Sequence, residues 1–493
     1  MRTRWIDFNS VLRLANLVVV GLLVSAFSAT PGNPYMDEET LALGILLCLQ
    51  TEIALRLERR RRDPFVVLLA FETIFYYAFR IYTLAELQFS DVFDRYPYTP
   101  ADSNFALLFI IVANLFLYGG LYAVSLKGEQ RIDASQWRAT TPGSVVVLLL
   151  VTVVFAYFGG TYWTADTIPR GLNFLILFLS PSITVLMALP YYLLFRRSLQ
   201  RSIAVSIGAL IVADIVAHTL WGSRSALVAF MQVCLFVVLA LTGYFRLKRS
   251  TIIIGVALLP VGVALLVGMF AISTFNRTAK ESANSFDVSR SIDTAVEAGR
   301  RLPVASSLDL VLAPVASRAG FFDYSAEVIA HHEQYAEVLS IGSLGKSIVD
   351  NILTPGFDVY DQPKLANALR FVYMDMGKPS KSLVEESYQS DQIGIYGEFY
   401  SLFGYASLPL FAFLAAFLKK LYRRVYSSNP FIFAMKRIIV LWFFVKSIES
   451  FGIDWTLLEV IPLVVAMYLY ARFFAIKRVR ETHGEAPPAL VPE

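Results

Sequence analysis

The stretch NFALLFIIVANLFLYGGLYAVSL, residues 104–126, contains no charged residue. A helix needs about 20 mostly apolar residues to cross roughly 30 Å of hydrocarbon, so this stretch is long enough to form one membrane span. Eleven further runs meet the same criterion. The twelve predicted spans are residues 11–29, 40–56, 64–87, 104–126, 143–162, 172–195, 202–220, 225–244, 251–272, 397–418, 436–452 and 455–475.

The composition agrees with this pattern. Hydrophobic residues make up 56% of the 493 residues and the mean hydropathy is +0.57. One soluble core cannot bury so much apolar surface. The run at 11–29 has no convincing cleavage site and is as long as the others, so we expect it to be a retained span. The sequence therefore predicts an all-α integral membrane protein with about 12 transmembrane helices.

Basic residues in the short loops predict the orientation, because Lys and Arg are held on the cytoplasmic side during insertion. They occur at every second boundary between spans, while the intervening loops contain few. Both termini are therefore expected to be cytoplasmic. The basic boundary residues are Arg2, Arg4, Arg59, Arg60, Arg61, Arg62, Lys127, Arg131, Arg196, Arg197, Arg246, Lys248, Arg249, Lys419, Lys420, Lys477 and Arg478.

One polar insertion, residues 273–396, interrupts the apolar pattern between spans nine and ten and falls on the far side of the membrane. Its patterns predict helices, including runs near 321–340 and 363–374. It contains eleven basic and sixteen acidic residues, which excludes a basic nucleic-acid surface. The predicted organisation is spans one to nine in 1–272, this loop in 273–396, spans ten to twelve in 397–476 and a disordered cytoplasmic tail in 477–493.

Charged side chains inside the spans are the first candidates for a site, because they are costly in hydrocarbon and tend to line a cavity or to pair. Most lie toward the far ends of their spans, at the depth of a lipid phosphate. We predict that four of them bind substrate: Arg80, Asp214, His218 and Lys446. The alternative is that these charges form structural pairs.

A tight turn at the same face, Trp221-Gly222-Ser223-Arg224-Ser225, joins spans seven and eight. Arg224 is an external cation, against the charge bias of the other short loops. A guanidinium matches phosphate oxygens in a bidentate manner, and the N-terminus of span eight adds a positive dipole end. Arg224 is therefore a candidate phosphate ligand, although it would also suit lipid headgroups.

Two short motifs resemble a known family. Gly222-Ser223-Arg224-Ser225-Ala226-Leu227, the late external loop and Gly397-Glu398-Phe399-Tyr400-Ser401-Leu402-Phe403-Gly404 together resemble the Wzy-type O-antigen and exopolysaccharide repeat-unit polymerases. The resemblance implies a glycosyltransferase of GT-C-like architecture in the bacterial inner membrane, with its site facing the periplasm. It implies transfer of a growing glycan from undecaprenyl diphosphate to a lipid-linked repeat unit, without metal or cofactor. It is also compatible with a separate chain-length regulator as a partner protein.

Such a reaction needs cations for the diphosphate leaving group and a general base for the acceptor hydroxyl. The cation candidates are Arg224, Arg277 directly after span nine, and Arg318. The catalytic base is assigned to His332. The alternatives for the base, which are also predicted to bind substrate, are His331, Asp391, Glu398 and the pair of Asp214 with His218. Cys48 and Cys234 lie inside spans, and no Cys/His spacing indicates zinc.

Three alternatives stay open. An O-antigen ligase differs from a polymerase in its acceptor. A polyprenyl-phosphate-dependent glycosyltransferase usually carries its acids in a large first external loop, which is short here but contains Asp37, Glu38 and Glu39. A transporter or flippase for lipid-linked oligosaccharide is expected to have two similar halves with sites near mid-bilayer, whereas this chain divides into nine and three spans.

Overall fold

The computed structural model shows a helical membrane protein. The residues that it describes are 5–58, 63–126 except 89, 91, 94 and 95, 132, 137–139, 146–147, 150, 181–195, 199–220, 234–241, 246–248, 320–353, 359–373, 393–449, 452–473 and 476–478. Within these residues five helices are long and apolar enough to cross a membrane. They are Phe8–Ala29, Glu38–Glu58, Pro64–Leu87, Pro100–Ala123 and Gly394–Arg424.

These five helices confirm the multi-pass helical class and coincide with the predicted spans one to four and ten. Helices also cover much of the predicted spans at 172–195, 202–220, 436–452 and 455–475. Most of the runs at 143–162 and 225–244, and all of 251–272, lie outside the described residues. The number of twelve spans and their orientation stay predictions.

We number the α-helices in chain order. They are α1 Phe8–Ser25, α2 Glu38–Glu58, α3 Pro64–Glu72, α4 Phe79–Leu87, α5 Pro100–Ala123, α6 Pro181–Phe195, α7 Arg201–Leu220, α8 Phe322–Ala330, α9 His332–Tyr335, α10 Ile341–Ile348, α11 Leu365–Tyr373, α12 Gly394–Phe403, α13 Ser407–Arg424, α14 Pro430–Glu449 and α15 Ile453–Phe473. Short 3₁₀ turns occur at Ala26–Ala29 and Gly404–Ala406, and π-helical turns at Thr73–Ala78 and Val349–Leu353.

Four three-residue strands form two antiparallel pairs in the described part of the chain. β1 Trp5–Asp7 pairs with β3 Arg246–Lys248, and β2 Trp137–Ala139 pairs with β4 Ile476–Arg478. Each pair joins two segments that the distribution of basic residues predicts on the same side of the membrane.

Local sequence sets where two of the spans begin. The Asp63 carboxylate accepts a hydrogen bond from the Phe65 amide at 3.0 Å, and Pro64 occupies the first position of α3. Thr99 and Asp102 form a capping box at α5, which also begins with a proline. A capped N-terminus and a proline in the first turn satisfy or remove amides that would otherwise lack partners.

The predicted spans three and ten are interrupted helices. A π-helical turn separates α3 from α4, and the Gly404–Ala406 turn separates α12 from α13. Gly404 has φ +55°, a conformation that favours glycine. The sequence predicted one continuous span at 397–418, whereas the structure gives a short helix, a turn and then a second helix.

Residues 320–353 and 359–373 of the polar insertion contain helices α8 to α11, and we call them the polar segment. The predicted helical run at 321–340 divides at His331, whose backbone leaves the helical region at φ −112° and ψ 32°. α11 agrees with the predicted run at 363–374, while α10 was not predicted from the sequence. The polar segment packs against the candidate spans.

Helices α5 and α13 approach so closely that their backbones touch. A Cβ atom on Gly120 would overlap the backbone of Ala412. The adjacent Gly119 is exposed, with nothing within 4 Å of a Cβ built on it. Small residues let transmembrane helices approach in this way.

We therefore expect Gly120→Ala to lower the stability of the protein by about 1 to 3 kcal/mol, because an added methyl group overpacks the contact. The matched control is Gly119→Ala, which adds the same methyl group where there is space. Thermal unfolding in detergent micelles measures both variants. Equal stability of the two variants would contradict the close contact.

Candidate functional site

A buried ion pair joins the polar segment to the third predicted span. Arg80 on α4 is 1% exposed, and its Nη2 lies 2.6 Å from the Oδ2 atom of Asp323 on α8, which is fully buried. Ser90 Oγ donates to the same carboxylate oxygen at 2.9 Å, and Arg80 Nη1 donates to Thr83 Oγ1 at 3.3 Å. The predicted substrate-binding residue Arg80 is therefore engaged by a carboxylate of the polar segment.

The backbone around this ion pair allows the close approach. A Cβ atom on Gly320 would overlap the side-chain stem of Arg80. The Phe321 amide donates to the Tyr76 carbonyl at 2.9 Å, and the two rings stack with centroids 4.6 Å apart. Tyr76 lies in the π-helical turn, which departs from the regular hydrogen-bond pattern of an α-helix. An irregular turn in the span and a glycine in the polar segment thus bring the two chains together.

His331 lies between two acceptors. Its Nε2 atom is 3.1 Å from the Pro97 carbonyl oxygen, and its Nδ1 atom is 3.4 Å from Oε2 of Glu327. The Tyr335 hydroxyl donates to the other oxygen of Glu327 at 3.2 Å. Burial alone would lower the pKa of His331, but the Glu327 carboxylate and the Pro97 carbonyl outweigh burial and raise the pKa above its ordinary value. His331, predicted as a substrate-binding residue, therefore connects α8 to the segment that precedes α5.

His332, the predicted general base, lies where α9 meets α12. Its imidazole ring stands nearly perpendicular to the Tyr400 ring, with centroids 5.3 Å apart. His332 is half-buried, so the ring keeps a solvent-accessible part. The structure brings this histidine beside the helix that carries Glu398.

Glu398 is fully buried at the N-terminus of α15. Its Oε1 and Oε2 atoms lie 2.9 Å and 3.1 Å from the Ile453 amide nitrogen, which donates to them. A carboxylate at a helix N-terminus also benefits from the positive end of the helix dipole. The neighbouring Gly397 allows α12 to approach α8, since a Cβ there would lie 3.3 Å from the Ser325 backbone. The predicted residue Glu398 therefore joins two helices.

The start of α15 carries a second buried carboxylate. Asp454 accepts from the Leu365 amide, the first of α11, at 3.0 Å, and from the Ser347 hydroxyl of α10. Asp454 thus joins the last predicted span to two helices of the polar segment. We use the name seam for the region where the polar segment meets the membrane helices. Four pairs mark it: Arg80–Asp323, His331–Glu327, Glu398–Ile453 and Asp454–Ser347.

Lys446 lies on α14, away from the polar segment in sequence. Its Nζ atom is 2.9 Å from Oε2 of Glu449, one turn away, and 5.1 Å from the centroid of the Trp442 ring. Asp214 and His218 lie on α7, but their side chains are outside the described part of the structure. The remaining predicted site residues, Arg224, Arg277, Arg318 and Asp391, are outside the described residues.

Sequence reasoning missed four side chains of the seam: Asp323, Glu327, Ser347 and Asp454. A signal existed for Glu327, because it stands four residues after Asp323 and both acids lie in an otherwise apolar helix, which places them on one buried face. Asp454 directly precedes the predicted span 455–475 and lies in the first turn of α15, where an acid is stabilised by the helix dipole. Ser347 offered no signal, since serine is common on any helix.

We expect Asp323→Ala to destabilise the protein by about 3 to 5 kcal/mol, because it leaves the buried Arg80 charge without its carboxylate. The control is Ser90→Ala, which removes a neutral donor to the same oxygen and should cost about 1 kcal/mol. The double variant Arg80→Met/Asp323→Leu removes both charges and should recover most of the loss. Thermal unfolding in micelles measures all three. A loss for Asp323→Ala no larger than that for Ser90→Ala would contradict the ion pair.

The raised pKa of His331 predicts a pH dependence. The charged ring stabilises the fold fully below its unfolded pKa of about 6.5, and this stabilisation disappears as the pH rises through the raised folded value. Wild type should therefore exceed His331→Gln in unfolding temperature at low pH and approach it at high pH. Glu327→Gln removes the carboxylate that attracts the charged His331 ring. In this variant the stabilisation should therefore disappear at a lower pH than in wild type. An unshifted profile in Glu327→Gln would oppose this assignment.

The chain was compared with protein-family models, with curated proteins and with solved structures. No match was found in any of the three comparisons. The long apolar helices, which are properties of the chain itself, assign it to the multi-pass helical membrane proteins.

Proposed function

We propose that the protein polymerises oligosaccharide repeat units that are linked to undecaprenyl diphosphate, at the periplasmic face of the bacterial inner membrane. In this reaction the acceptor hydroxyl attacks the sugar carbon that is bonded to the lipid diphosphate. The glycosidic bond forms, the lipid diphosphate leaves and the hydroxyl proton passes to a base. The proposal rests on the two motifs of the sequence and on the place of one of them in the seam.

The position of α12 is the observation that carries the proposal. The segment Gly397–Gly404, which bears the resemblance, forms most of this short helix, and α12 packs against α8 of the polar segment. The helix then breaks at Gly404 before the membrane-spanning part of α13. Irregular backbone at membrane level is tolerated where it is buried in protein or lines a cavity. Such a break beside a polar segment suits a site for a substrate that is half lipid and half sugar.

Two titratable groups lie on or beside α12. His332 contacts Tyr400 and is half-buried, so it is the one of the two that is not enclosed by the protein. Glu398 is fully buried and its carboxylate accepts the Ile453 amide, so we assign it a positioning role at the start of α15. His332 is therefore the proposed general base.

The leaving diphosphate requires cations, and we propose Arg224, Arg277 and Arg318 for this role on sequence grounds. A guanidinium forms two parallel hydrogen bonds with phosphate oxygens, which a lysine cannot do. Fixed positive groups stabilise the charge that develops on the leaving oxygen. With three arginines available, the proposed reaction needs no metal ion.

The direct test incubates purified protein with lipid-linked repeat units, without nucleotide sugar or added metal. Longer lipid-linked glycans support the polymerase. Transfer only to lipid A core would replace it with an O-antigen ligase, and a requirement for a polyprenyl monophosphate sugar would replace it with another GT-C glycosyltransferase. Movement across the bilayer without transfer would indicate a transporter, an alternative that the buried acids Glu72 and Glu449, with Lys446 paired to Glu449, favour.

In this assay we expect Arg224→Ala and Arg277→Ala each to reduce chain extension by about 100-fold or more, because each removes a cation from the leaving group. His332→Ala should reduce it by a similar factor and flatten the pH profile, since it removes the base. The matched control is Arg290→Ala, an arginine of the same insertion with acidic neighbours in sequence. Extension at the wild-type rate in both arginine variants would refute the proposed diphosphate site.

A further inference from the structure

Three charged side chains form a cluster between α1 and α2, outside the seam. The Oε1 atom of Glu52 accepts hydrogen bonds from Nε and Nη2 of Arg13, at 2.8 Å and 2.6 Å. It also accepts a hydrogen bond from Nε of Arg56 at 2.7 Å. All three bonds end on one oxygen atom, so the two guanidinium groups stand side by side.

Even with Glu52 ionised, this cluster carries an excess positive charge. Arginine stays charged in proteins, and its guanidinium group presents N–H donors on all of its nitrogen atoms. In the described part of the structure, Nη1 of Arg13 and both Nη atoms of Arg56 have no acceptor. These donors and the excess charge are therefore available to an anion.

Two buried asparagines fix α1 to α2 on either side of Arg13. Asn9 Nδ2 donates to the Leu55 carbonyl oxygen at 3.0 Å, and Asn16 Nδ2 donates to the Cys48 carbonyl oxygen at 2.8 Å. Sliding one helix along the other would leave these buried groups unpaired, which is costly. The two arginines are thus held in place before a ligand binds, and this lowers the entropy cost of binding.

Both arginines lie at the end of a predicted span. Arg13 stands near the start of the span 11–29, and Arg56 is the last residue of the span 40–56. The Arg56 side chain is 67% exposed and that of Arg13 is 26% exposed. Long basic side chains at the end of a span reach the level of the lipid headgroups. The excess charge therefore meets the headgroup layer, on the side that is predicted to be cytoplasmic.

Exposed apolar side chains continue from each arginine toward the middle of its span. Leu17 stands four residues after Arg13, while Ile53 and Leu49 stand three and seven residues before Arg56. All three apolar side chains are exposed. Their spacing places each of them on the same helix face as its arginine. The two helices thus present a cationic end and an apolar surface that leads away from it.

We propose that Arg13 and Arg56 bind the phosphate of an anionic phospholipid, whose acyl chains lie along the exposed apolar side chains of α1 and α2. Guanidinium groups match phosphate oxygens, and the negative charge of the lipid balances the excess charge of the cluster. A zwitterionic lipid carries its own cation and cannot supply this balance. The site uses none of the residues proposed for glycan transfer, so a failure of either assignment leaves the other standing.

Native mass spectrometry of the purified protein tests the lipid preference. The probes are dioleoylphosphatidylglycerol, which is anionic, and dioleoylphosphatidylcholine, which has the same acyl chains and no net charge. Wild type should bind the anionic lipid in preference, and Arg56→Gln should reduce this preference by about fivefold, the effect of one basic residue near an anionic headgroup. The matched control is Arg424→Gln, which removes an exposed arginine from the last turn of α13 and should leave the preference unchanged.

Thermal unfolding in micelles gives a second measurement. Phosphatidylglycerol should raise the unfolding temperature of wild type more than phosphatidylcholine does, and this difference should shrink in Arg56→Gln and in Arg13→Gln. An undiminished preference in Arg56→Gln, or an equal loss in Arg424→Gln, would overturn the proposal. Glycerol phosphate without acyl chains should have little effect. If it stabilised the protein as much as phosphatidylglycerol, the site would belong to a water-soluble phosphate and the lipid assignment would be wrong.

Discussion

The contact between Arg80 and Asp323 determines how the polar segment meets the membrane helices. Removing two opposite charges from water is costly, and the cost is recovered only when the geometry is close and the remaining polar atoms are bonded. That requirement accounts for Ser90, which donates to the same carboxylate, and for Gly320, which leaves space for the arginine stem. The Phe321 amide bonded to the π-helical turn fixes the approach. The polar segment is thus held as part of the membrane domain.

The need of a buried charge for hydrogen-bond partners also explains the burial pattern of α10 and of the π-helical turn that follows it. There, polar side chains are buried and some apolar side chains are exposed. Ser343, Ser347 and Asp350 are buried toward the protein, while Ile341 is 60% and Leu353 68% exposed. In a soluble domain the apolar side chains would be inside. Here the polar side chains face inward because Asp454, at the start of α15, needs donors such as Ser347.

Much of the membrane part could be predicted from the sequence, because an apolar run such as 104–126 is itself the physical requirement for a span. The depth of charges within the spans also identified Arg80 and Lys446 as candidates, and a short motif identified Glu398. Their partners could not be predicted, since Asp323 is separated from Arg80 by 243 positions and no local pattern relates them. The break at Gly404 was missed because hydrophobicity continues through it, whereas a positive φ interrupts the backbone there. The break at His331 was missed because the polar residues that follow are also compatible with a helix, and α8 ends there through its tertiary contacts.

Exposure separates the ion pairs of the described residues into two kinds. The pairs Lys419–Asp63 and Arg80–Asp323 have few exposed atoms, as stable burial of charge requires. Glu52 is bonded by both Arg13 and Arg56, but Arg56 is 67% exposed, so the excess charge is open to the surroundings of the protein.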